Sequence, residues 1–82
     1  MNVMVKFLSQ FRVMAGTDKA EVELPEKAKV AALLDALREP YPGIFPVVEQ
    51  HAMIMVNHKM VAPETVLQDG DEVMLLQILG GG

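Results

Sequence analysis

The spacing of apolar residues changes from a strand period to a helix period near residue 30, and that change constrains the fold more than any other feature. Residues 3–8 and 20–24 alternate with a period of two, which is typical of β-strands. From position 30 the apolar residues recur at i, i+3, i+4 and i+7, which is the stripe of an amphipathic helix: Val30, Leu33, Leu34 and Leu37. The pattern predicts two strands followed by one helix.

The sequence marks the end of this helix more clearly than its start. Pro40 cannot continue a helix, so the helix is expected to span 30–39. Its start is expected to be weak, because Lys27 and Lys29 stand where a capping Ser, Thr or Asp is preferred. Residues 39–51 contain three prolines and a glycine among apolar residues, which indicates an ordered loop that covers the core.

The second half of the chain returns to strand patterns. Short strands are expected at 52–56 and 59–61, joined by the two-residue turn Asn57-His58, and a strongly apolar strand at 72–78. The first two strands are expected to form a hairpin whose loop spans 9–18. A crossover through one helix lets the last strand lie beside the first. The order predicts an α+β roll of the β-grasp type, a mixed sheet of about five strands with one main helix packed across it.

Composition excludes several classes of protein. The chain has 82 residues, 51% of them hydrophobic, and a net charge of −4, with its Lys and Arg residues scattered, so one globular domain without a nucleic-acid footprint is expected. The absence of cysteine excludes disulfides, a thiol nucleophile and a cysteine metal site. No segment has the pattern of a signal peptide or the length of a membrane span, so we expect a cytoplasmic protein without membrane contact.

Four segments together resemble the MoaD and ThiS families of ubiquitin-like sulfur carriers. They are FLSQFRVMAGTD (7–18), MVNHKMV (55–61), LQDGDEV (67–73) and the glycines at 80–82, and they cover nearly the whole chain in the family's order. The resemblance implies a carrier, not an enzyme, with a β-grasp domain at 1–79 and a flexible glycine tail at 80–82. It also implies that a ubiquitin-activating-type enzyme (MoeB/ThiF-like) adenylates Gly82 with ATP before conversion to a thiocarboxylate.

The tail suits that chemistry for physical reasons. Gly80 and Gly81 have no Cβ atoms, so the tail is slim enough for a narrow channel and adopts whatever backbone angles the channel imposes. The chain offers no Gly-rich phosphate loop and no Ser/His/Asp set, so the groups that stabilise the transition state must come from the partner. The carrier is therefore expected to bind no cofactor itself, and ATP is used by the activating partner.

The resemblance leaves the pathway open. Chain length, the FRVMAG segment and the proline-rich loop resemble MoaD, the small subunit of molybdopterin synthase, whose partner is the large subunit (MoaE-like). The QILGGG ending is more similar to ThiS, which serves thiazole synthase in thiamine synthesis. Molybdopterin biosynthesis is the leading interpretation. The alternatives are thiazole synthesis, a protein modifier joined to lysine through Gly82, and a binding module whose glycines are incidental.

Five apolar residues near the last strands are candidates for partner binding. Alternation alone is equally consistent with core packing, whereas the resemblance implies an exposed apolar patch that docks the activating enzyme and the acceptor subunit. The candidates are Phe7, Met60, Leu75, Leu76 and Ile78. The seven methionines are more simply explained as fillers of gaps in a small core.

The remaining polar candidates are given structural roles. His51 and His58 are expected to face solvent in a loop and a turn, without a metal role, because no carboxylate stands at a metal-ligand spacing. Asp69, Asp71 and Glu72 are expected to solvate a turn and to complement a basic partner. No metal site is therefore expected.

Overall fold

A computed structural model describes residues 1–45, 48 and 52–77 of the chain. Its sheet is mixed and five-stranded, with the order β2-β1-β5-β3-β4, and helices lie between the strands. The elements in chain order are β1 (Asn2–Phe7), α1 (Gln10–Ala15), β2 (Lys19–Glu23), α2 (Val30–Ala36), a 3₁₀ turn (Pro42–Ile44), β3 (Ala52–Val56), β4 (Lys59–Met60) and β5 (Glu72–Gln77). This is the predicted β-grasp architecture.

The last strand occupies the middle of the sheet. β5 runs parallel to β1 and antiparallel to β3, while β1–β2 and β3–β4 are antiparallel pairs. The prediction that the last strand lies beside the first is therefore confirmed. One sheet face is covered by helix α2, and the buried side chains of both elements form a single cluster that includes Leu33, Leu37, Val5 and Val73.

Helix α2 begins where predicted and ends three residues sooner. Its N-cap, Lys29, makes no side-chain cap bond. Instead, the amides of Val30 and Ala31 donate to carbonyl oxygens of the β4–β5 connection at 2.9 and 3.0 Å. That connection replaces a capping side chain. The helix ends at Ala36 and not at residue 39, because Pro40 lacks an N–H and disfavours helical geometry in the residue before it.

A second helix, α1, lies within the segment 9–18 that was predicted to be a loop. Its six residues are too few for a 3.6-residue period to be visible, and the buried ring of Phe11 holds it against the core. Gly16 ends it in the left-handed region at φ 76°, and its amide donates to the carbonyl of Arg12 at 3.1 Å. The prediction of a loop there was wrong.

The proline-rich segment covers the core where it is described. Ile44 and Val48 are buried, and the pair Phe7–Tyr41 brings ring centroids to 5.1 Å. The rest of this loop lies outside the described residues. None of the described helices has the length and apolarity needed to cross a bilayer.

Candidate functional site: a tail-bearing strand and an open sheet face

The tail follows directly from the central strand. β5 is described to Gln77, and the amide of Leu8 donates to the carbonyl of Leu75 at 3.0 Å, so the end of β5 is tied to the end of β1. Helix α1 also packs beside β5. Ile78, Gly80, Gly81 and Gly82, together with His51, lie outside the described residues. The end of β5, from which the chain continues toward the tail, is thus held at a fixed place on the domain.

Two of the predicted partner contacts belong to the core. Phe7 and Leu75 are each 0% exposed and face each other in the β1–β5 register. They lie on the sheet face that α2 covers, so they are not available to a partner in this fold. The prediction that they form part of an exposed patch was wrong, and the core packing that alternation also allowed is correct.

The opposite face of the sheet is open and carries an apolar patch. Because side chains alternate along a strand, the residues beside buried Val73 and Leu75 face the other way. In register, Met74 lies opposite Met55, which lies opposite Met60. One step toward the tail, Leu76 lies opposite Met53. We call this set the open-face patch: Met53, Met55, Met60, Met74 and Leu76.

The patch differs in exposure across its width. Met60 is 69% exposed on the short edge strand β4, whereas the other four members are half-buried. The exposure of Met60 and the partial exposure of Leu76 are compatible with the contact role predicted for them, and the contact itself stays a prediction. Leu76 stands next to Gln77, so the patch reaches the last described residue before the tail.

The placement of the methionines corrects the expectation that they fill gaps in the core. Within the described part of the chain, only Met1 and Met14 pack against the buried cluster. The other five of the seven lie on the open face, Met4 with the four of the patch. The alternation in AMIMV (52–56) was the signal for Met53 and Met55, which were not predicted as contact residues. Met74 was missed in the same way.

A polar cluster bounds the patch on the side away from the tail. Lys6 stands beside Met74 in register, and its Nζ lies 3.2 Å from Oε2 of Glu72. Nε2 of His58 lies 3.7 Å from the other carboxylate oxygen of Glu72, and His58 is exposed in its turn, as predicted. Patch and cluster together give an apolar centre with a polar rim, which is the usual anatomy of a docking surface.

The acidic turn before β5 is structural. Oδ1 of Asp69 accepts from the amide of Asn2 at 2.7 Å, and Oδ2 of Asp71 accepts from the amide of Gln68 at 2.8 Å. Asn57 Nδ2 donates to the other oxygen of Asp71 at 2.9 Å. These carboxylates order the turn, and the described ranges contain no group of three His, Asp or Glu side chains that could hold a metal ion.

A shallow cleft of about 280 Å³ lies at the far end of the sheet from the tail. Its lining includes Asn2, Met4, Glu21, Asp69 and Gly70. The two acids in it would repel a phosphate, and no basic side chain lines it. The cleft is therefore unsuited to ATP.

Comparison with known proteins agrees with this geometry. The sequence profile of the ThiS family matches residues 5–82. A putative molybdopterin converting factor, subunit 1, from Pyrococcus furiosus is 31% identical, with 94% of this chain and 97% of that chain covered and a TM-score of 0.86. A search of curated proteins found no significant match.

Two further structures share the fold at lower identity. SAMP1 from Haloferax volcanii is 24% identical over 100% of both chains, with a TM-score of 0.90. A protein–protein complex of subunits 1 and 2 of molybdopterin-converting factor from Helicobacter pylori 26695 matches at 22% identity over 100% of both chains, with a TM-score of 0.71.

Proposed function

Because the chain belongs to the ThiS family, whose members are small ubiquitin-like sulfur carriers and not enzymes, we propose that Gly82 is the residue that carries sulfur. A ubiquitin-activating-type enzyme (MoeB/ThiF-like) joins the Gly82 carboxylate to the adenylyl group of ATP and releases pyrophosphate. Hydrosulfide then attacks the acyl carbon and displaces AMP, which leaves a thiocarboxylate on Gly82. The observation that supports this most is that the family match extends through Gly82.

The proposal assigns the chemistry of activation to the partner. The cleft beside Glu21 and Asp69 is lined by acids and by no basic side chain, so it is unsuited to phosphate. The partner supplies the groups that stabilise the developing charge, and this chain supplies a carboxylate on a slim tail. In this proposal residues 1–79 form the docking domain and 80–82 the tail that enters the partner. We expect the reaction to take place in the cytoplasm, where ATP is available to the partner.

The open-face patch is the proposed docking surface for the adenylating enzyme. Leu76 belongs to the patch and stands next to Gln77, so an enzyme that binds the tail lies against this part of the sheet. The apolar centre contributes through burial, and the Lys6–Glu72 rim adds charge contacts that orient the partner. The same face serves, in turn, the acceptor enzyme that takes the sulfur.

Molybdopterin biosynthesis is the proposed pathway, with the large subunit of molybdopterin synthase (MoaE-like) as acceptor partner. Support comes from the 31% identity to a putative molybdopterin converting factor subunit over 94% of this chain. The thiazole pathway, with thiazole synthase as partner, is the alternative, and the QILGGG ending favours it.

The pathway test uses the thiocarboxylated protein as the sulfur source in two reconstitutions, one with molybdopterin synthase large subunit and its pterin precursor, the other with thiazole synthase. The proposal predicts molybdopterin formation in the first and no thiazole in the second. The opposite result would reassign the protein to thiamine synthesis. Protein with one alanine appended after Gly82 is the control, since it has the same patch and no free glycine carboxylate.

Protein modification is a second candidate, because activation of Gly82 is common to both functions and SAMP1 from Haloferax volcanii has the same fold. In that case the activated Gly82 forms an isopeptide bond with a lysine of another protein. Lysine-linked adducts in the host that disappear when Gly82 is deleted would support it. Their absence from cells that accumulate the thiocarboxylate would leave sulfur transfer as the function.

A further inference from the structure

Met60 is the most accessible thioether among the described residues, and it lies within an apolar surface. Its side chain is 69% exposed on the edge strand β4, while Met55 beside it is half-buried. Met1 and Met14 pack against the core. Oxidants dissolved in water therefore reach Met60 before the other methionines, because the susceptibility of a thioether follows its exposure.

We propose that Met60 is a modification site, oxidised to the sulfoxide by a peroxide, and that this oxidation weakens docking of the adenylating enzyme; the docking part rests on the proposed function. In the step, the thioether sulfur attacks one peroxide oxygen, the O–O bond breaks and an S=O bond forms. Sulfur loses two electrons, and the peroxide is reduced to water or an alcohol. No cysteine competes for the oxidant, because the chain has none.

The side chains of the open-face patch itself, methionine and leucine, offer the new oxygen no hydrogen-bond donor. In the register row of Met60, Lys6 lies three strands away and pairs with Glu72, and His58 also lies beside Glu72. A sulfoxide buried under a partner at this position thus loses its hydrogen bonds to water and gains none from the patch. We expect docking to weaken by about tenfold, which is the typical penalty for an uncompensated polar group.

Oxidation at Met60 leaves the fold intact. The side chain stands on a two-residue edge strand and does not belong to the buried cluster. Its effect on docking is therefore separate from any effect on stability. Oxidation of Met14, by contrast, would place a polar group against the core.

The test treats the full-length protein with hydrogen peroxide, stops the reaction at intervals and measures sulfoxide at each methionine by peptide mass spectrometry. The same samples are titrated against the MoeB/ThiF-like enzyme of the host. Met60→Leu keeps an apolar side chain that cannot be oxidised, and Met14→Leu is the matched control. Each treated protein is compared with its own untreated sample. We expect Met60 to oxidise first, and we expect peroxide to weaken docking of wild type and of Met14→Leu about tenfold but to change docking of Met60→Leu much less.

Two results would overturn the inference: oxidation of another methionine before Met60, or equal loss of docking by wild type and Met60→Leu. Failure of the untreated protein to bind the enzyme would instead contradict the proposed function. The order of oxidation is measured without the partner, so the two failures are distinguishable.

Discussion

Asn57 and Glu72 exchange two hydrogen bonds: the backbone amide of Asn57 donates to the backbone carbonyl of Glu72 at 2.8 Å, and the backbone amide of Glu72 donates to Asn57 Oδ1 at 3.0 Å. This exchange fixes the β3–β4 turn against the start of β5. It therefore holds Met60 in register with the strand that leads to the tail. Asn57 also has a φ of 50°, a left-handed conformation that asparagine tolerates better than most residues.

Replacement of Asn57 tests this link between turn and tail strand. Asn57→Ala removes the side-chain bonds and strains the backbone, so we expect a loss of about 2–4 kcal/mol in the free energy of unfolding. Asn57→Gly removes the same bonds but permits positive φ, and it should lose about 1–2 kcal/mol less. Urea denaturation measures both. Equal losses would show that the backbone at residue 57 is not strained.

The assignment of Phe7 to the core predicts a large effect on stability. Phe7→Ala should lower the free energy of unfolding by about 3–5 kcal/mol, because it removes a fully buried ring and leaves a cavity. Met60→Ala, at an exposed site, should change it by about 0.5 kcal/mol or less. Thermal unfolding followed by circular dichroism compares them. A Phe7→Ala protein as stable as wild type would contradict the core assignment.

A charge on the open-face patch should weaken docking without unfolding the domain. Met60→Asp places a carboxylate at the exposed end of the patch, and we expect its affinity for the adenylating enzyme to fall by about tenfold or more. Val66→Asp is the matched control, since Val66 is 49% exposed but lies in the β4–β5 connection, where it pairs with Lys29. Isothermal titration calorimetry measures both affinities. Equal weakening by the two variants would exclude the patch as the specific docking surface.

Substitution of Gly16 tests whether helix α1, which the sequence analysis did not predict, ends where the structure shows it. Gly16 has a φ of 76° and open space around its Cα, so backbone conformation alone limits substitution there. Gly16→Ala should cost about 1–2 kcal/mol of unfolding free energy, and Gly16→Asn less, because asparagine tolerates the left-handed region. Chemical denaturation of the two variants checks the order. A neutral alanine variant would show that α1 ends differently.

Sequence patterns predicted the topology better than they predicted the docking face. The order of the strands, the main helix α2, the Asn57-His58 turn and the pairing of the last strand with the first followed from periodicity and turn chemistry. The buried face of β5 could not be predicted in this way, because Val73 and Leu75 alternate with Met74 and Leu76, and both sets are apolar. Only the three-dimensional placement of α2 decides which set is core, so Phe7 and Leu75 were assigned to the wrong face.

Short-range structure was missed for a related reason. A six-residue helix such as α1 has fewer than two turns, so its sequence shows no clear helical periodicity. A single apolar residue such as Phe11 is as common in a loop that packs on the core as in a short helix. The end of α2 depends on how far Pro40 disturbs the preceding backbone, which sequence alone places only within a few residues. The backbone caps of α2 come from residues more than thirty positions later, so no local pattern indicates them.

The most direct test of the account is whether Gly82 becomes a thiocarboxylate. The protein is incubated with ATP, the MoeB/ThiF-like enzyme and a sulfide source, then treated with a thiol-selective alkylating reagent and measured by intact mass. Alkylation is needed because methionine oxidation adds nearly the same mass as exchange of oxygen for sulfur. Since the chain has no cysteine, the thiocarboxylate is the group that a thiol-selective reagent would alkylate. We predict one alkyl group on the wild-type chain and none on protein with one alanine appended after Gly82, which has no free glycine carboxylate. A wild-type chain that stays unalkylated while its binding to the enzyme is intact would contradict the carrier function.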